Sequence, residues 1–321
     1  MTSKLDNYDI AVLLPCYNEG PSIAEVVLDF RRYLPSTRIY VYDNNSVDDT
    51  AEQAARAGAT VIPSRRQGKG NVVRQMFSDI DADIYIMADG DGTYDASSAP
   101  KLIEALIDDR LDMVVGTRHR IFNIIFRAVF GNDFSDIFSG YRVFTRRFAK
   151  SFPAQSPGFE IETELSVHAS VLRLPIKEIE CDYGRRIEGS ESKLSSFRDG
   201  FKILRMIAML MKETRPFTFF SYIALILGGI SAVFMTPVLI EYFATGLVNK
   251  IPTWILSMTL MISAIIVFSA GVILDSVARG RAEQKRVHYL SISPSRGERS
   301  PISAVPIKER RENAAQRGKR P

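Results

Sequence analysis

The sequence predicts an α/β protein with a Rossmann-like, mostly parallel sheet, followed by an interfacial helix and two transmembrane helices. Three observations carry this reading. Short apolar runs alternate with helix-period segments from residue 10 to residue 116. Two uncharged runs, each long enough to cross a bilayer, follow in the last third of the chain. Basic residues flank the pair on both outer sides, with Lys250 the only one between them.

Taken in order, Ile10–Pro15 is a buried strand candidate, and Pro21–Tyr33 follows as a helix with Ile23, Val26, Val27 and Phe30 at helical spacing. Arg38–Tyr42 reads as the second strand, Thr50–Ala57 as a helix stopped by Gly58, and Thr60–Ile62 as the third strand. Asn71–Ile80 is a helix, Ile84–Met87 the fourth strand, Ala99–Arg110 a helix and Met113–Gly116 the fifth strand. Glu160, Glu162 and Glu164 fall on a further helix and read as a solvated or acceptor-side face rather than a catalytic pair.

Ser195–Arg215 carries Phe197, Phe201, Leu204, Ala208 and Met211 at helical spacing among Arg198, Lys202, Arg205 and Lys212, the pattern of an amphipathic helix in a membrane interface. The spans are Phe217–Ile240 and Thr253–Leu274, with Glu241–Pro252 as the connecting loop. The expected organisation is therefore a soluble domain over residues 1–194, the interfacial helix over 195–215, the two spans within 216–274, and a basic tail over 275–321 that is disordered at its end. The positive-inside rule places both termini in the cytoplasm. Oligomerisation through the spans is a further expectation.

Lys and Arg number 41 against 37 Asp and Glu, and the excess sits in the tail beside the spans. That distribution points to a membrane surface and not to nucleic acid. The two cysteines, Cys16 and Cys181, match no zinc or redox spacing and fit a reducing compartment. The N-terminus shows no apolar signal region, so export of the first half is not expected. His119, His168 and His288 are scattered and take no site role.

In an open parallel sheet, ligands sit beyond the carboxyl ends of the strands. Pro15-Cys16-Tyr17-Asn18-Glu19-Gly20 follows the first strand, Asp43-Asn44-Asn45-Ser46-Val47-Asp48-Asp49-Thr50 the second, and Asp89-Gly90-Asp91-Gly92-Thr93 the fourth. Asp89 and Asp91 suit Mg2+ or Mn2+, hard ions that take oxygen ligands and bridge to diphosphate. Asp43 and Asn45 can bind ribose hydroxyls or a base edge, while Asp48, Asp49 and Thr50 can equally cap the next helix. Gly68-Lys69-Gly70 lacks the Walker A pattern; Lys69 either contacts a nucleotide or belongs to a plain turn.

These motifs, in this order and spacing, resemble glycosyltransferase family 2 with the A-type fold. Gly116-Thr117-Arg118, the segment Asp136 to Phe144 and Ser192-Lys193-Leu194 are similar to the dolichyl- and undecaprenyl-phosphate sugar transferases, and the likeness covers roughly residues 8–290. The resemblance implies transfer of a sugar from a UDP- or GDP-linked donor to polyprenyl phosphate, with inversion, on the cytoplasmic face of a bacterial inner membrane. It implies that Asp89 and Asp91 hold a metal and diphosphate, and that Pro15, Tyr17, Asn18, Glu19, Asp43, Asn45, Ser46, Lys69 and Gly90 line the nucleotide-sugar site. Arg118, Ser139, Arg142, Arg186 and Lys193 would gather round acceptor and diphosphate, and Asp136 would orient the acceptor or an arginine. Thr93 stands where some relatives carry Gln as a metal contact, and the stretch after Arg118 is shorter than in many of them. Rival readings are a processive synthase, a diacylglycerol acceptor and an inactive nucleotide-binding adaptor. The sole tryptophan, Trp254, lies inside a span, against the Gln-x-x-Arg-Trp motif of the synthases.

Overall fold

The structure is a computed structural model, described over residues 5–117, 139–158, 160–181, 208–209 and 211–294. The strands are β1 (Ile10–Cys16), β2 (Arg38–Asp43), β3 (Thr60–Pro63), β4 (Ile84–Met87), β5 (Met113–Thr117), β6 (Arg142–Thr145) and β7 (Ile176–Glu180). They form one sheet in the order β3-β2-β1-β4-β6-β5-β7. All run parallel except β6, which is antiparallel to both β4 and β5. The mostly parallel sheet expected from the alternation is present, and its central strands are apolar almost throughout because helices cover both faces.

The helices of this domain are α1 (Gly20–Tyr33), α2 (Thr50–Arg56), α3 (Lys69–Asp79), α4 (Ala99–Asp108), α5 (Arg146–Ser151) and α6 (Ile161–Leu172). In α1, Pro21 sits in the first turn, where its missing N–H costs nothing, and Ile23, Val26, Val27 and Phe30 make the buried stripe. Alternation along β1 splits the core in two. Ile10, Val12 and Leu14 pack with α1 and α4, while Ala11 and Leu13 pack with Val72, Val73 and Met76 of α3, Phe148 of α5 and Leu165 of α6.

The last two helices are α7 (Pro216–Thr245) and α8 (Ile251–Ser291). Each is long and apolar enough to cross a membrane. They pack as a hairpin: Ser231 Oγ donates to the Ser257 carbonyl at 2.7 Å, and the rings of Phe217 and Phe268 meet edge to face at 5.8 Å. Leu225, Ile226, Val233, Ile262, Ile265 and Ile273 face outward on the pair. The turn is closed by Gly246 at φ +69° and by an ion pair between Glu241 and Lys250 at 3.5 Å.

Both helices run past the apolar runs read from the sequence. The first continues to Thr245, with Glu241 accommodated on the last turn by Lys250 and Asn249. Helix α8 runs on through the basic residues 275–291, and this stretch docks on the sheet domain through Tyr289 and Arg147. Of the expected interfacial helix, residues 208–209 and 211–214 are helical, and its remainder lies outside the described residues.

Candidate active site

The loops after β1, β2 and β4 converge at the carboxyl edge of the sheet and are knitted by hydrogen bonds. Asn18 (φ 55°) and Asn45 (φ 63°) adopt left-handed backbone, which asparagine tolerates better than most residues. The Asn18 N–H donates to Ser46 Oγ at 2.9 Å, and the Val47 N–H returns to Asn18 Oδ1 at 2.9 Å. Asp43 Oδ1 accepts from the Ser46 N–H at 3.2 Å. Asp48 accepts from Thr50 and from the Gly20 N–H, so it joins the starts of α1 and α2. The capping reading of this loop therefore holds for Asp48. Tyr17 stands 37% exposed at the rim, and Pro15 and Glu19 are half-buried.

The chief organiser of these loops is Asn44, which sequence reasoning passed over. Its buried amide donates to the carbonyls of Ser64 (3.3 Å) and Arg66 (2.8 Å), and its Oδ1 accepts from the Gly68 N–H at 2.7 Å. The Asn44 N–H bonds the Cys16 carbonyl at 2.9 Å. The side chain thus fixes the end of β3 and the entry to α3, while the backbone N–H of the same residue ties the end of β1. A signal was available: three successive amide-bearing or acidic residues close a strand, and only the middle one points inward.

The Gly68-Lys69-Gly70 turn is a place of close approach. A Cβ at Gly68 (φ +121°) or at Gly70 would collide with the carbonyls of Pro157 and Ser156. The Gly70 N–H bonds the Pro157 carbonyl at 3.1 Å. This contact drives the Lys69 side chain inward, where it forms ion pairs with Asp89 and, at 2.6 Å, with Glu162. Burial by itself would lower the Lys69 pKa; the fields of Asp89 and then Glu162 outweigh it and raise it, so the ammonium stays charged. Burial, only partly countered by Lys69, raises the Glu162 pKa. The solvated face expected of the three glutamates is corrected here. Glu162 lies on the buried stripe of α6 with Leu165, Ser166 and Ala169, while Glu164 accepts from the backbone of Gln155 and Ser156.

Asp91 is buried, with Oδ1 accepting from the Thr93 N–H at 3.0 Å. Thr93 Oγ1 is a buried oxygen with no hydrogen-bond partner among the described residues. Cys16 lies beneath, and its thiol pKa is pushed well up by burial first and then by Glu19, Asp89, Asp43 and Asp91. The thiol thus reports four carboxylates focused on one strand edge. Among the described residues, no three His, Cys, Asp or Glu side chains are close enough to enclose a metal ion. What the edge offers is two carboxylates and an orphan hydroxyl, a donor set for a hard cation that takes its remaining oxygens from diphosphate or water.

The segment Ser139-Gly140-Tyr141-Arg142 closes over this pair. A Cβ at Gly140 would lie 3.0 Å from Asp89 Oδ2 and 3.2 Å from Lys69 Nζ, so a glycine permits the approach. The Gly140 N–H donates to Tyr94 Oη at 2.8 Å. Two of the expected acceptor-side residues are buried. Arg142 is 0% exposed: alternation along β6 puts it on the Phe144 face, under α6, where Nε donates to the Ser139 carbonyl at 2.8 Å and Nη1 to Ser166 Oγ at 3.0 Å. Among the described residues it packs in the core against α6. The Ser139 hydroxyl is likewise buried, donating to the Gly116 carbonyl at the end of β5. Arg118, Asp136, Arg186 and Lys193 lie outside the described residues.

Comparison with known proteins agrees with this geometry. The family model described as Glycosyl transferase family 2 matches residues 11–161. Glycosyltransferase AglJ of Haloferax volcanii is 35% identical over 228 residues, covering 66% of this chain and 75% of that protein. A dolichyl-phosphate hexose transferase of the same organism is 28% identical over 223 residues, 64% of this chain and 96% of that protein. Among solved structures, glucosyl-3-phosphoglycerate synthase of Mycobacterium tuberculosis, crystallised with Mn2+, UDP-glucose and phosphoglyceric acid, shares the fold at a TM-score of 0.55 and 22% identity, over 65% of this chain and 81% of that one.

Proposed function

The chain belongs to glycosyl transferase family 2, and from that premise we propose that it transfers a sugar from a UDP- or GDP-linked donor to a polyprenyl phosphate at a membrane surface, inverting the anomeric carbon. The observation that carries the reading is one of combination. A nucleotide-sugar type of strand edge, with Asp89, Asp91 and Thr93, shares a chain with a helical hairpin that presents apolar side chains outward. The dolichyl-phosphate hexose transferase, matched over nearly its whole length, supports the acceptor class.

A lipid phosphate monoester is already ionised near neutral pH, with a second pKa of about 6, so its oxygen attacks without a strong general base. What the protein supplies is position and charge balance. Mg2+ or Mn2+, bound by Asp91 and Asp89, would draw off charge from the departing nucleoside diphosphate; the Mn2+ and UDP-glucose of the distantly similar synthase support this choice. Asp91 is held ready by the Thr93 N–H. Lys69, anchored below by Glu162, offsets part of the carboxylate charge and fixes the rotamer of Asp89. Asn44 keeps Asp43, Asn45 and Ser46 in place for the nucleoside, with Pro15, Tyr17, Asn18 and Glu19 opposite. Arg118, Arg186 and Lys193 are proposed to meet the acceptor phosphate, where guanidinium forks offset the repulsion of two anions, and Asp136 to orient one of them.

The flanking charges support a location of the sheet domain and both termini on the cytoplasmic side of a bacterial plasma membrane. The test is to incubate the enzyme in membranes with a panel of labelled UDP- and GDP-sugars and added polyprenyl phosphate. Label entering the lipid extract, abolished by a chelator and restored by Mg2+ or Mn2+, is the expected result. Label found solely in water-soluble product, or transfer indifferent to the chelator, would overturn the proposal.

A further inference from the structure

Helix α8 does more than span. Residues 275–291 extend about 25 Å beyond its apolar run, at 1.5 Å per residue. Their end is seated on the foot of the sheet, the edge opposite the strand carboxyl ends. Asp112 immediately precedes β5 there, and Thr145 ends the antiparallel β6 at the same edge. Tyr289 Oη donates to Asp112 Oδ1 at 2.6 Å, and Thr145 Oγ1 donates to the same oxygen at 3.0 Å. The Arg147 guanidinium lies 5.2 Å from the centre of the Tyr289 ring and donates from Nε to the Ile292 carbonyl at 3.1 Å. Arg146 reaches the Ser293 carbonyl at 3.4 Å. Tyr289 and Asp112 are both buried, in a helix whose neighbouring Val287 and Leu290 stay exposed.

The path of α8 gives this seat a consequence. Helix α6 begins with Glu162 beside Lys69 at the site and ends at Leu172, just before β7 starts at the foot. Along α8, Lys285 and His288 act electrostatically on His168, in the second half of α6, and Tyr289 then reaches the foot. The helix therefore arrives at the foot with its C-terminal end, and its apolar part lies away from it. A domain gripped at its foot by a rigid helix emerging from the bilayer is held at a fixed standoff.

We propose that Tyr289, Asp112 and Arg147 form a latch through which α8 sets the height and tilt of the donor cleft over the bilayer, making Tyr289 a positioning residue for transfer to a membrane-embedded acceptor. This rests on the proposed lipid acceptor. An ordinary packing contact would affect all substrates alike, whereas a standoff device affects an acceptor fixed in the bilayer and spares one that diffuses in water.

The test uses the full chain in phosphatidylethanolamine–phosphatidylglycerol vesicles with undecaprenyl phosphate, and in parallel with a short-chain, water-soluble isoprenyl phosphate. Tyr289→Asp sets a carboxylate against Asp112. It is expected to lower kcat/KM for the vesicle acceptor about tenfold, as small misplacements of reacting groups do, with the donor KM and the soluble-acceptor rate unchanged. Tyr289→Phe, which deletes one oxygen and keeps the packing, gives the same split at smaller size, and so does Arg147→Ala from the other side of the contact. Amide exchange over residues 285–293 rises in each. Equal losses with both acceptors, or no loss with either, would overturn the latch. If the wild type used neither acceptor, the acceptor reading would fail by itself; unchanged exchange over 285–293 in Tyr289→Asp would then separately remove the latch.

Discussion

The strand ends of residues 5–117 and the segment 139–181 both carry charged residues in short motifs, and they dispose of them in opposite ways. In the first region, Asp43 ends one parallel strand and Asp89 and Asp91 follow another, and all come to one edge by chain order alone. In the second, Arg142 begins a strand and Glu162 sits on the inner face of a helix, so both are driven inside and satisfied by distant partners, Ser166 and Lys69. A charged residue at or just beyond the end of a parallel strand is left at the open edge where ligands sit in such sheets, whereas one within an element meets whatever that face packs on. The same sequence signal is therefore left at the open edge in one half and buried in the other.

The sharpest way to break this contrast is Asp91→Asn. Loss of one metal-side carboxylate is expected to cut transfer about a thousandfold, about 4 kcal/mol, with the melting temperature little changed. A loss below tenfold in a steady-state assay would place Asp91 outside the reacting centre. Arg142→Ala should do the reverse. Removing a wholly buried guanidinium costs about 3 kcal/mol of stability, read by thermal or denaturant unfolding, while the protein that remains folded keeps its acceptor KM. An unchanged melt with lost acceptor use would return Arg142 to the phosphate site.

Asn44→Ala sharpens the comparison within the first region, because it strips three bonds that tie the loop after β2 to the connection between β3 and α3. About 2 kcal/mol of stability should go, together with a raised donor KM and an unchanged soluble-acceptor KM. The most gradual effect belongs to His168, whose pKa burial, with Lys285 and His288, lowers to about 3. An unfolded chain protonates this ring near its ordinary value, so between the two pH values the unfolded state holds the extra proton. Stability should fall by at most about 1.4 kcal/mol for each pH unit of acidification over that range. His168→Gln should flatten that part of the pH profile; an unaltered slope would assign it to other groups.

Much of the first region was legible because glycine and proline punctuate it. Gly58, Pro21 and Pro100 mark helix ends, and the apolar runs at 10–15, 38–42 and 84–87 match observed strands to within a residue or so. The convergence of the loops after β1, β2 and β4 followed from the strand-end rule. The second region resisted because its logic is long-range. Nothing local in Gly-Lys-Gly tells that Lys69 meets a glutamate far along the chain, and nothing in a basic tail tells that Tyr289 crosses back to Asp112. The burial of Arg142 was not foreseen because its motif resembles a phosphate-binding one, while the two-residue period of β6 decides where its side chain goes.

If the sugar leaves a nucleotide at the Asp89–Asp91 edge for a lipid phosphate, the chemical lability of the lipid product will show it. A sugar on a polyprenyl phosphate is joined through a glycosyl phosphate. The prediction is release of label by mild acid and resistance to mild alkali, in material that Asp91→Asn does not make. Lipid label that survives mild acid and is lost to alkali, as from a glycosylated diacylglycerol, would contradict it.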